Sequence, residues 1–160
     1  MKVINEFHLP DTHPLHMKTL LAMDFGEKYI GVATYCVNRD PFPTPYGRIA
    51  NKTQAQVLLE LKKIISDESV DEVIIGLPYL TDGKKTASTG RAQTFADWIK
   101  ASIQTPVHEQ DETLSTFEAQ NRMKNSPRYN FQVDQSQIDA VAASVILEDF
   151  IRRTIGNLRL

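Results

Sequence analysis

One cysteine, Cys36, stands in 160 residues. A lone thiol closes no internal disulfide and builds no cysteine zinc cage, which excludes a secreted, cross-linked scaffold. Long apolar runs are missing as well. The densest, Val73-Ile74-Ile75 with Leu77, falls far short of the roughly 20 residues a membrane-spanning helix needs. The first 20 residues carry Glu6, Pro10, Asp11 and Pro14 and lack the apolar stretch of a secretion signal. Neither sign of charge dominates: 18 Lys and Arg against 20 Asp and Glu leave a net charge of −2. That excludes a strongly basic nucleic-acid coat, though not a local basic surface. There is also no internal repeat, low-complexity tract or linker. What remains is an ordinary globular composition, 41% hydrophobic and 24% charged, at about the length of one domain. The expectation is a cytoplasmic protein with no membrane association.

Periodicity supplies the elements. Thr19 to Met23 is a short apolar run closed by Asp24 and a turn at Gly26, and Tyr29 to Val37 resumes it. Two such runs about a tight turn read as a hairpin. Three prolines in residues 41–47 push a third strand beyond them or onto an edge. Between Thr53 and Ser66, Val57, Leu58, Leu61, Ile64 and Ile65 form the stripe of a helix laid on a sheet. Asp71 to Pro78 is a continuous apolar strand of the kind buried on both faces. Asp82-Gly83 marks a loop, a helix follows over Thr86 to Ser102, and Pro106 to Gln110 makes a short strand. Ser115-Thr116-Phe117-Glu118 and Ser136-Gln137-Ile138-Asp139 are capping-box patterns opening two last helices. The sum is an α/β domain with helices on both faces of a mixed sheet, covering residues 19–160 behind a loosely ordered extension, 1–18.

The acids fall at telling places. Asp24 closes the first strand, Asp111 and Glu112 follow the last, and Asp139 sits in the first turn of the closing helix. Each has a plain alternative: Asp24 as a turn residue bonded to nearby amides, the others as acids favoured near helix starts. A desolvated carboxylate is costly unless it is paired or holds a metal, and ligands gather at the strand ends of open α/β sheets. Three or four converging oxygens without histidine or thiolate suit Mg²⁺ or Mn²⁺. Two such ions about 4 Å apart activate water and stabilise the leaving oxygen of a phosphodiester.

Four runs then carry a resemblance: Met23-Asp24-Phe25-Gly26 leading into Lys28-Tyr29-Ile30-Gly31-Val32-Ala33; Ile75-Gly76-Leu77-Pro78 with Asp82-Gly83; Asp111-Glu112-Thr113-Leu114-Ser115-Thr116; and Ile138-Asp139-Ala140-Val141-Ala142-Ala143. In that order they resemble the YqgF (RuvX) family of bacterial RNase H-like proteins, over residues 19–153. The resemblance implies an RNase H-like fold, a five-stranded mixed sheet flanked by helices. It also implies metal-dependent cleavage of phosphodiester bonds, in pre-16S rRNA maturation or at Holliday junctions. The family's acidic centre maps to Asp24, Asp111 or Glu112, and Asp139, with two ions of Mg²⁺ or Mn²⁺ as the implied cofactor. One position departs: Thr113 stands where the family usually has arginine, and threonine cannot clamp a phosphate bidentately.

Phosphate contact requires cations. Lys28, Lys84, Lys85, Arg91 and Arg122 lie in segments expected to border the cleft, and each reads equally as a solvated surface charge. The expected partner is nucleic acid (pre-rRNA or branched DNA), with ribosomal particles behind it, and the expected state is a monomer or weak homodimer. Two other classes stay open: a nucleotide-binding relative of the actin-like ATPases, and a catalytically weak RNA-binding module.

Overall fold

In the computed structural model, which describes residues 7–80, 82–112 and 115–159, ten elements follow one another along the chain. The hairpin is β1 (Thr19–Asp24) and β2 (Tyr29–Cys36), and β3 (Thr44–Ala50) pairs with β2 as the edge strand. Pro45 is tolerated there because an edge strand need not donate from every residue. Helix α1 (Gln54–Asp67) is capped by Thr53, whose hydroxyl accepts from the Gln56 N–H at 3.2 Å. Strand β4 (Glu72–Pro78) lies parallel to β1, and helix α2 (Ala87–Ser102) leads to β5 (Val107–Glu112), parallel to β4. Helix α3 (Ser115–Lys124), a 3₁₀ turn (Pro127–Tyr129) and helix α4 (Ile138–Arg159) complete the chain. The strand order β3-β2-β1-β4-β5 is the expected five-stranded mixed sheet.

Two cores sandwich that sheet. Helices α1 and α2 bury Val57, Leu61, Ile64, Phe95 and Ile99 against Leu21, Met23, Val73 and Ile75. On the other face α4 buries Ala143, Ile146, Leu147 and Ile151 against Leu20, Ala22, Ala33 and Ile74. Each fully buried aliphatic side chain contributes about 1.5–3 kcal/mol, which is why β4, apolar on both faces, reads so clearly in the sequence. Helix α4 comes unusually close to the sheet at two glycines. A Cβ on Gly31 would sit 1.9 Å from the Asp139 carbonyl oxygen, and one on Gly76 would sit 2.4 Å from the Ile146 Cδ1.

Three expectations need correction. Residues 7–18 are packed rather than loose: Phe7, Leu9 and Leu15 are buried in the α4-side core. The Asn38 side chain clasps both the Leu9 N–H at 2.9 Å and its carbonyl at 2.7 Å. Residues 1–6 lie outside the described residues. Strand β5 runs two residues past Gln110 and so takes in Asp111 and Glu112. The turn before α4 is organised by Asp134 rather than by a Ser136 capping box, since its carboxylate accepts from the Ser136 N–H at 2.9 Å, the Ser136 hydroxyl and the Gln137 amide. Asp139 is therefore not needed as a cap.

Candidate active site

The pleat decides which acids meet. Residues two apart on a strand share a face, and Leu20 and Ala22 belong to the α4-side core, so Asp24 faces α4 as well. Its antiparallel partner is Gly31, the residue on which the Asp139 backbone rests. On β5, His108 pairs with Ile74 of the α4-side core, which puts Gln110 and Glu112 on that face and Asp111 on the other. Asp111 is exposed. Glu112 is thus turned toward Asp24, and Asp111 is turned away from it.

Electrostatics shows the proximity. Burial raises the Asp24 carboxyl to about 7, and the facing Asp139 charge adds to it. Burial also raises Asp139, against the opposing pull of Arg48. Glu112 is pushed up by burial first, then by its hydrogen bond with Asp149, the Asp149 charge and, more weakly, Asp24, while Arg153 pulls it down. The Glu112 Oε2 is buried and has no hydrogen-bond partner among the described residues. Among the described residues no three His, Cys, Asp or Glu side chains are already gathered as a ready-made cage. The donor set nonetheless fits a hard divalent cation: oxygen ligands only, repelling one another, one oxygen orphaned, and too little positive charge nearby to compensate.

These shifts carry a sign for stability. The folded acids hold protons at a pH where the unfolded chain, with carboxyl pKa values near 4, has lost them. Folding then takes up protons, so stability falls as pH rises from about 4 through 7. Thermal melts in EDTA should show the midpoint higher at pH 5 than at pH 8, on the order of 5 °C. Mg²⁺ or Mn²⁺ at pH 8 should recover most of that difference, whereas a flat profile in EDTA would contradict the clustering.

The cations distribute unevenly. Lys28, Lys84, Lys85 and Arg91 are exposed around the carboxyl ends of β1 and β4. Lys84 reaches Asp82 at 3.8 Å and Arg91 reaches Glu27 at 3.2 Å. Arg122 is already committed, forking onto Glu148 at 2.7 and 2.5 Å and touching Glu118 at 3.3 Å. Thr113 lies outside the described residues. Three site residues escaped the sequence reading. Arg48 on β3 pairs across from Gly31, stacks 3.7 Å over the Tyr29 ring and faces Asp139. Asp149 and Arg153 come to Glu112 from α4. The signal for Asp149 and Arg153 was their helical offset from Asp139, legible only once β5 was known to reach Glu112.

Fold and site together define an RNase H-like α/β domain with an acidic centre at the carboxyl ends of its strands. The family model described as "RuvX: Holliday junction resolvase" matches residues 18–153, and the chain belongs to that family, which makes it a nuclease. A Maridesulfovibrio salexigens protein named "Putative pre-16S rRNA nuclease" is 32% identical over 137 residues, 84% of this chain and 98% of that protein. One of the same name from Shewanella oneidensis is also 32% identical, over 89% of this chain and all of its own length. Among solved structures, Thermus thermophilus RuvC in complex with a Holliday junction superposes with a TM-score of 0.54 at 10% identity, covering 86% of this chain and 96% of its own. The fowlpox virus Holliday junction resolvase gives 0.52 at 10% identity, over 84% and 99%. At such identities these two speak for the fold.

Proposed function

We propose that the protein hydrolyses phosphodiester bonds in RNA, maturing the 5′ end of the 16S rRNA precursor, with Mg²⁺ or Mn²⁺ held by Asp24, Glu112 and Asp139. The observation that carries this reading is the group of three desolvated carboxylates on one sheet face, with a Glu112 oxygen that has no hydrogen-bond partner among the described residues. Bound there, such ions supply a polarised phosphoryl oxygen and a nucleophilic water at neutral pH. Asp24, on the rigid central strand, sets the centre's position, and Asp139 closes it from the helix. Glu112 is steadied by Asp149. Lys28, Lys84, Lys85 and Arg91 line the approach for the sugar-phosphate backbone, and Arg48 supplies a cation at the Asp139 end. Arg122 acts instead to brace α3 on α4. Precursor ribosomal particles are the partner such an RNA implies. The names of the curated relatives favour rRNA; the family description favours branched DNA as the second substrate.

The test is cleavage of a labelled 5′-extended 16S precursor fragment beside a four-way DNA junction, with either ion and with EDTA. The expected result is ion-dependent cutting of the RNA. Cutting confined to the junction would select the second reading, and no cutting of either would refute both. In the same assay Glu112→Gln should lose roughly a hundredfold of rate while Asp111→Asn stays within a few-fold of wild type. The reverse order would move the ligand to Asp111.

A further inference from the structure

On the α1/α2 side of the sheet, away from the acidic centre, lies a cavity of about 610 Å³ walled by α1, α2 and the β1–β2 turn. That is within the range of small-ligand pockets and roomy enough for a base with its ribose. One wall is aromatic: Phe25 and Phe95 have ring centroids 4.8 Å apart at 33°, and Phe95 and Trp98 6.0 Å apart at 52°. Gly90 bares the wall beside them. Glycine is a poor residue inside a helix, and here a Cβ would meet nothing within 4 Å, so packing does not require it. Its effect is to leave this stretch of the cavity lining bare of side chain. Arg91 lines the same cavity and pairs with Glu27 of the β1–β2 turn. Asn51 donates its amide to the Gly26 carbonyl at 2.9 Å, which keeps its own side-chain oxygen as an acceptor for a ligand N–H.

An apolar peptide would use the rings but not the arginine and amide. A nucleotide uses all of them: a flat base stacks on aromatic faces, its polar edge meets Asn51, and its phosphate meets the guanidinium. Phe25 follows Asp24 directly in the chain, so the end of β1 that carries the acidic centre on one face of the sheet presents the cavity's aromatic wall on the other, and a strand passing over the β1–β2 turn could engage both. We propose that this cavity receives an unpaired nucleobase of the substrate strand, stacked on Phe25 and Trp98, which the buried Phe95 backs, with a neighbouring phosphate on Arg91. The enzyme thereby selects single-stranded segments next to the bond it cuts. The inference rests on the nuclease reading for the strand's identity, but its readout does not depend on cleavage.

Trp98 is the sole tryptophan, so its emission reports on the cavity directly. Wild-type protein in EDTA is titrated with fluorescein-labelled single-stranded A12 as RNA and as DNA, and with the blunt duplex of each, following Trp98 emission and label anisotropy together. Both single strands should quench Trp98 saturably, and the duplexes should not. Gly90→Leu should abolish the quench and weaken single-strand binding tenfold or more, with an unchanged far-UV spectrum and an undiminished melting temperature. Binding by anisotropy without a change at Trp98, equal quenching by duplex, or wild-type affinity in Gly90→Leu would each overturn the inference. So would emission that shifts with protein concentration alone, since a second copy would then fill the cavity. A quench that behaves as expected, in a protein that cuts no nucleic acid with either ion, would overturn the nuclease reading and leave the base pocket standing.

Discussion

Asp24→Asn should abolish cleavage and leave the fold intact. A carboxylate that anchors divalent ions contributes several kcal/mol of transition-state charge stabilisation, and each 1.36 kcal/mol is a factor of ten, so the expected loss is roughly a thousandfold or more. The stability effect runs in the opposite direction from most substitutions of partly buried polar residues. Asp24 is held at about 7 by burial and by the Asp139 charge, so its ionised form is a burden on the folded state at pH 8. Asparagine keeps the shape and removes that charge. The melting temperature in EDTA should therefore equal or exceed wild type at pH 8, and the pH dependence expected of the metal-free protein should flatten. Added Mn²⁺ should raise the variant's melting point less than wild type's, because ligand-linked stabilisation tracks affinity. A variant that melts many degrees lower would instead assign Asp24 a structural role.

The second large effect comes from a residue with no side chain. Gly31→Ala places a methyl group 1.9 Å from the Asp139 carbonyl oxygen and 2.3 Å from its carbonyl carbon. Backbone cannot swing aside as a flexible side chain can, so α4 must lift from the sheet or β2 must bend. Overpacking of this kind costs about 1–3 kcal/mol and sometimes more, which for a chain of this size lowers the melting point by roughly 4–10 °C. Activity should fall further than stability, because the atoms that collide belong to the residue bearing one of the site's carboxylates. Gly47→Ala is the matched control: its added Cβ meets nothing within 4 Å, and it should melt within a degree or two of wild type. Equal behaviour of the two variants would mean that α4 does not seat on Gly31.

Strong local patterns made much of this readable beforehand. Val73-Ile74-Ile75 and Leu77 admit only a strand covered on both sides, and the Thr53 and Thr86 caps mark where α1 and α2 begin. Asp24 stood out because an apolar run ends on it. The approach of Asp24 to Asp139 is a tertiary contact, yet both positions stand out in the sequence, one closing an apolar run and the other in the first turn of the last helix. Other features had no local signature. Whether Glu112 or Asp111 turns inward depends on β5 continuing past Gln110, and a polar strand end written Glu-Gln-Asp-Glu has no apolar alternation to announce it. Arg48 sits on an edge strand among Pro45, Tyr46 and Gly47, where neither burial nor periodicity singles it out. Ser136-Gln137-Ile138-Asp139 imitates a capping box, but Asp134, two residues earlier, competes for the same donors and wins.

The placement of Phe7, Leu9 and Leu15 bears on how a minimal version of this enzyme could be cut. The family match begins at residue 18, and a boundary drawn there would look natural. It would also strip the covering from Tyr35, whose ring meets Phe7 edge-on at 6.1 Å, and remove three members of the core that holds Leu147 and Ile151 of α4, the helix that carries Asp139. Trimming to the matched unit would thus saw through one of the two hydrophobic layers, and any loss of activity in such a fragment would report a wounded scaffold rather than a missing functional segment.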